Sequence, residues 1–131
     1  MGIRIVRLGS PRAADEGLRI GTVRRPPRGV PKAAFSTQDW YDCWYPNLAP
    51  SAATMALGQA AQSSGSDKDW ASFRKQYLQE MNTPEARHNL DLLTALSQHA
   101  NLSVGCYCAE ESRCHRSLLR ELLTQRGATI V

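Results

Sequence analysis

The chain has 131 residues, 42% hydrophobic and 21% charged, enough to bury one core and too few for two independent domains. Its four cysteines come without a secretory signal, because the N-terminus is short and broken by Arg4 and Arg7, so reduced thiols and a cytoplasmic location are expected rather than a disulfide scaffold. No apolar run approaches bilayer length, so no membrane partner is expected, and a formal net charge of +4 leaves small anions and nucleic acid open as partners.

Ile3 to Leu8 alternates apolar and basic residues, which predicts a strand with one covered face. A polar connection follows from Gly9 to Gly17. Leu18 to Val23 forms a second predicted strand, with Leu18, Ile20 and Thr22 on one side. Pro26, Pro27 and Pro31 then deny the backbone donors and predict a stiff, extended, basic loop through Arg24, Arg25 and Arg28. Arg4, Arg7, Arg12, Arg19, Arg24, Arg25, Arg28 and Lys32 face only Asp15 and Glu16 in this part of the chain, so a surface that meets anions is expected.

Ala34 to Pro50 is aromatic and aperiodic, which suits a short turn or strand and an extended cover over the core, with Cys43 as a buried filler. Ser51 to Gln62 suits a helix introduced by Pro50, and 62–66 a flexible loop. Asp67 or Asp69 is placed to cap the next helix, whose Trp70, Phe73, Tyr77 and Met81 share one face as core. Thr83 and Pro84 open a third helix that runs through Leu90, Leu93 and Leu96, leaving His88 and His99 exposed. Leu102 to Cys108 is the third predicted strand and Cys114 to Arg126 the last helix, closed by Gly127, with 128–131 as a short edge strand. Strands interleaved with helices predict a single α/β domain over 1–131, a small parallel or mixed sheet covered by helices in Rossmann-like layering.

Most of the chemistry lies between Cys106 and Leu119, a window holding Cys106, Cys108, Cys114, His115, Arg113 and Arg116. A strand that ends in a polar loop and restarts as a helix is a common place for α/β proteins to hold a ligand. Zinc would suit the ligand types. The spacing counts against it, because Cys114 and His115 would project about 100° apart if both were helical. A reactive thiol would use Cys108 or Cys114 beside His115 and the arginines. An anion site would use the helix start with Arg113, Arg116 and Ser117. The plain alternative makes the cysteines small buried hydrophobes and the arginines solvated.

Several pieces together resemble the YeaO-like family, domain of unknown function 488. They are the basic first strand at Arg4 to Arg7, the second strand at Leu18 to Val23, Pro27-Arg28-Gly29, Trp40, Ala49-Pro50-Ser51, and the helix from Trp70 to Leu78. A cysteine after the last main strand and a later cysteine-histidine-arginine, found in many members, match Cys108 and Cys114-His115-Arg116. The chain departs where members commonly place aspartate, arginine, leucine and tryptophan. Here stand Val23, Arg24, Arg25 and Pro26, so the arginine is kept and the carboxylate is gone. The resemblance implies the α/β fold and points to the same site, and it carries no established activity. Some members lack the cysteines, which implies that the fold does not need a structural metal there.

The resulting expectation is a pocket for an anionic, phosphate- or nucleotide-like small molecule, with Arg24, Arg28, Glu110, Arg113 and Arg116 as ligand-binding groups. Cys108 or Cys114 would be the nucleophile or redox thiol and His115 the acid or base, with no metal and no cofactor assigned. Two alternatives stay open. One is a nucleic-acid-binding module using the N-terminal arginines, and the other a redox-sensing interaction protein with a Cys108–Cys114 disulfide.

Overall fold

The computed structural model describes residues 1–131. Four strands, β1 (Ile3–Arg7), β2 (Leu18–Gly21), β3 (Cys43–Trp44) and β4 (Leu102–Cys106), form one sheet in the order β1-β4-β2-β3, with every pairing parallel. The helices are α1 (Ala52–Ser64), α2 (Asp67–Glu80), α3 (Pro84–Ser97) and α4 (His115–Gln125). The sequence therefore gives an α/β domain as expected, and the sheet is parallel rather than mixed. No helix is long and apolar enough to cross a membrane.

β4 is central, and all five of its residues are buried, which is why it reads as an unbroken small and apolar run. Leu102 and Val104 share one face with Ile3 and Ile20. Against them pack Phe73 and Tyr77 of α2, Met81 at its C-terminal cap, Leu90 and Leu93 of α3, and Leu118, Leu119 and Leu123 of α4. The aromatic stripe on α2 is thus core, as its spacing predicts. The opposite face carries Gly21 and Gly105 because nothing larger fits. A Cβ on Gly21 would lie 2.4 Å from the Tyr41 ring, and one on Gly105 2.6 Å from the Val6 carbonyl.

That second face has a charge at its centre. Arg19 is wholly buried on β2, where its guanidinium makes paired bonds to Glu16 (2.6 and 2.9 Å) and donates to the carbonyls of Ser10 and Asp39 (2.8 and 2.7 Å). Ser103 of β4 donates to the same Glu16 carboxylate, and Asp42 accepts the Arg19 backbone N–H. These bonds fasten two irregular segments over the sheet where no helix covers it. Leu18 and Ile20 share the face of Leu102 and Val104 as expected, but Leu18 is exposed at the start of the strand, and Arg19 on the opposite face is buried because paired partners satisfy the charge.

Several boundaries also differ from expectation. Ser66, not Asp67 or Asp69, caps α2, its hydroxyl accepting from the Asp69 N–H. The expected flexible loop at 62–66 is instead the end of α1, a left-handed Gly65 (φ 66°) and that cap, so α1 and α2 join tightly. Thr83 and Pro84 open α3 as predicted. The last strand stops at Cys106, two residues short, and Cys43 is exposed rather than filling the core. The predicted edge strand at 128–131 reduces to one bridge, Ile3 with Ile130.

Burial alone would raise the Glu16 carboxyl, but the hydrogen bonds from Arg19 and Ser103 outweigh it and hold the group below its usual value. Its contribution to stability is then complete above the ordinary glutamate value of about 4.3 and is lost as pH falls through the lower folded value. Breaking a buried pair by removing one partner costs about 3–5 kcal/mol. Urea unfolding of Arg19→Ala is expected to show a loss of that size at pH 7. An unchanged midpoint would mean that the pair does not hold the second face.

Candidate functional site at the end of the central strand

The parallel sheet sets the carboxyl ends of β2 and β4 side by side, and the site grows from both. Thr22 continues from β2 and bonds the Gly105 carbonyl through both its N–H (3.0 Å) and its hydroxyl (2.9 Å). From Cys106 the chain leaves β4 through Tyr107 and Cys108, makes a single 3-10 turn at Glu111–Arg113, and enters α4. Cys114 precedes the helix as its cap residue with an extended backbone (φ −132°, ψ 156°). Cys114 and His115 are therefore not successive helical residues, and their side chains are free to converge.

They do converge. The Cys106 and Cys114 sulfurs lie 2.8 Å apart, and His115 Nδ1 lies 3.6 Å from Cys114 Sγ. All three side chains are buried. On the far side of the ring, His115 Nε2 sits 2.8 Å from the Thr22 carbonyl. A carbonyl only accepts, so Nε2 carries the proton and Nδ1 presents a lone pair to the thiols. Burial pushes the imidazole down to about 4, so it stays neutral at physiological pH.

Cys108 is half-buried and closes the group from the open side, accepting from the Gln62 amide at 3.5 Å. Hydrogen bonds from Cys106 and Cys114 pull the Cys108 thiol well down, against its burial. The same bonds to Cys108 and Cys114, with burial, push Cys106 far up. The bond with Cys106 lowers Cys114, but Cys108 and burial raise it more, to about 11. The closest sulfur pair is Cys106 with Cys114, a pairing that sequence spacing did not single out.

These groups form part of the wall of a cavity of about 510 Å³. Arg24 and Arg25 line it from the basic loop, Arg113 from the helix approach, and Met55, Ala56, Gln59 and Gln62 from α1. Tyr107 secures the loop, its hydroxyl donating to the Arg25 carbonyl at 2.8 Å. Arg113 bonds Asp67 at 2.9 Å and lies over the Trp70 ring, while its Nη1 is buried without a hydrogen-bond partner.

Of the residues expected at the site, Arg24, Arg113, Cys108, Cys114 and His115 share this cavity, and Arg28, Glu110 and Arg116 do not line it. Arg28 is exposed farther along the loop. Glu110 is exposed and accepts from Ser112. Arg116 is buried and donates to the Cys108 carbonyl at 2.6 Å, so it positions the thiol loop from behind. Arg25, part of the basic loop expected to meet anions, lines the cavity, and sequence reasoning missed Gln59 and Gln62. The two glutamines stand three apart on a helix without a strong apolar stripe, which is the signal that they share one face.

His115 also joins α4 to the end of β2, which gives a stability test. His115→Leu leaves the Thr22 carbonyl without its donor and is expected to cost about 1–3 kcal/mol. His115→Gln, whose amide nitrogen can take the place of Nε2, should retain most of that stability. Equal losses for the two variants in urea melts would mean that the Thr22 bond carries no weight.

Comparison with known families adds one finding. Residues 3–127 match a family model described as the active DUF488-N3 subclade. No curated protein and no solved structure gives a significant match.

Proposed function

The chain belongs to the DUF488-N3 family, and we propose that it binds an anionic, phosphate- or nucleotide-like small molecule and presents the Cys108 thiol to it. One observation carries this reading. The basic loop after β2 and the thiol loop after β4, far apart in sequence, line one cavity of ligand size. Arg24, Arg25 and Arg113 supply positive charge at its rim, and the unpartnered Nη1 of Arg113 is a donor in need of an acceptor. Met55, Ala56 and Phe73 offer an apolar wall, and Gln59 and Gln62 offer amides, which suits a ligand with a flat or apolar body and a charged end.

The description of the subclade as active supports chemistry beyond binding. Cys108 is the thiol placed for it, being half-buried in the cavity wall, whereas Cys106 and Cys114 are deeper. His115 lines the cavity with Nδ1 beside Cys114 and its other nitrogen held by Thr22.

Most of the N-terminal arginines are occupied within the protein. Arg4 pairs with Asp15, Arg12 with Asp42 and Asp39, and Arg19 with Glu16. Arg7 donates to the Tyr107 carbonyl. Their engagement favours a small ligand over a nucleic-acid surface, because an extended phosphate backbone needs many free cations along its track.

A thermal-shift screen of phosphorylated metabolites, nucleoside monophosphates included, tests the reading. The wild type and Arg28→Ala should be stabilised by the same compounds, and an Arg24→Ala/Arg25→Ala variant should bind them at least ten-fold more weakly. No stabilisation of the wild type beyond that of the double variant would sink it. Oligonucleotide binding that falls steeply with salt and survives Cys108→Ala would favour the nucleic-acid module instead.

A further inference from the structure

Cys106, Cys114 and His115 offer two thiol sulfurs and one ring nitrogen that all lie within 4.8 Å of one another, and all three residues are buried. The geometry points to a binding site for a soft divalent metal such as zinc, held by Cys106 Sγ, Cys114 Sγ and His115 Nδ1, with a fourth position open toward Cys108 and the cavity. This inference rests on the thiol–imidazole arrangement alone and does not depend on the anion reading.

Spacing in the sequence speaks against such a site, and the structure removes the objection. Two successive helical residues could not easily share an ion, but Cys114 is the extended residue before α4. Its sulfur reaches back to Cys106 while the His115 ring turns to the same point. Cys106 arrives from the end of β4, so the donors come from a strand, a cap and a helix start. Three rigid elements converge without any long loop.

The donor set is chemically apt. Two sulfurs and one imidazole nitrogen with an open fourth place is a known pattern for zinc that takes part in chemistry, whereas closed structural sites use four protein ligands. The nitrogen offered is the unprotonated one. Metal-bound histidines commonly donate their other N–H to a backbone carbonyl, and Thr22 supplies that partner at 2.8 Å. No carboxylate stands in the group, which disfavours magnesium or calcium.

One adjustment is required. With zinc–sulfur bonds of about 2.3 Å, two sulfurs on a tetrahedral ion sit about 3.8 Å apart, while here they lie 2.8 Å apart. Cys114 is outside the regular helix, so a small rotation about its side-chain bonds opens that gap without moving β4. Binding displaces the thiol protons from both sulfurs to solvent and involves no change in oxidation state.

The test is titration of the reduced protein with cobalt(II) as a spectroscopic stand-in, followed by zinc competition. The wild type and Cys108→Ala should each bind one equivalent, with sulfur-to-cobalt charge-transfer absorption and the visible bands of a tetrahedral ion. Cys114→Ser should bind more weakly by over about 100-fold, the upper end of what losing an outer hydrogen-bond partner costs a metal site. His115→Gln keeps the donor toward Thr22 and lacks Nδ1, so it should fold and bind as weakly as Cys114→Ser. Circular dichroism and urea midpoints separate loss of metal from loss of fold. Failure of the folded wild type to bind one equivalent, or binding unchanged in His115→Gln, overturns the site. Loss of binding in Cys108→Ala overturns the open fourth position. None of these readouts uses an anion, and the thermal-shift screen can be run on metal-free protein, so the two readings fail separately.

Discussion

The buried Arg19–Glu16 pair is the constraint on which the rest of the architecture depends. A guanidinium with no solvent exposure must satisfy its donors inside the protein, and it does so with one carboxylate and two carbonyls from separate segments. The segment before β2 and the segment before β3 are thereby fixed to the same residue. Asp42 extends the network by accepting the Arg19 N–H while binding Arg12 and Ser36. A pair of this kind adds little net stability over an apolar filling. What it supplies is a unique placement of two loops that no helix holds.

That placement reaches the functional end of the sheet. With β2 fixed between β4 and β3, Thr22 and Val23 run beside the end of β4, and Arg24 and Arg25 emerge at the cavity rim. The Thr22 carbonyl faces His115 and sets its tautomer. One strand therefore delivers the basic groups and also orients the imidazole among the thiols. Ligand sites at the carboxyl ends of parallel strands are common because several chain segments open there together.

The legible parts of the sequence were those governed by local physics. The α2 stripe and the Thr83-Pro84 start follow from helical period and capping, and both appear in the structure. The crowding of cysteines, histidine and arginines near the last helix marked the site without showing how it is wired. Arg116 looked like a ligand group, yet it spends its donor on a backbone carbonyl eight residues away. Arg19 looked like surface, because the sequence does not show that the Glu16 which neutralises it is buried with it and held by Ser103 from across the sheet. Cys114 looked helical because capping residues carry no mark of their own when they are not serine, threonine, asparagine or aspartate. Nearness along the chain does not show these contacts: Glu16 stands three residues from Arg19 and Cys108 eight from Arg116, and only the folded backbone turns each pair together.

The depth order of the thiols limits what the cavity can do. All three thiols line the cavity, with Cys106 and Cys114 buried at its base and Cys108 half-exposed. A ligand whose charge is met by Arg24, Arg25 and Arg113 would lay its remaining atoms toward Cys108 and the α1 face, with Cys106 and Cys114 beneath them. Chemistry on the ligand therefore has to pass through Cys108 or through whatever Cys106, Cys114 and His115 jointly hold. Arg116 fixes the Cys108 carbonyl and Gln62 fixes its sulfur, so the thiol is held from both ends of its residue. Gln62 also donates to the Arg113 carbonyl, which ties the cationic side of the cavity to the same helix. A shift of α1 would move thiol and cation together, so their separation is set by the fold rather than by the ligand.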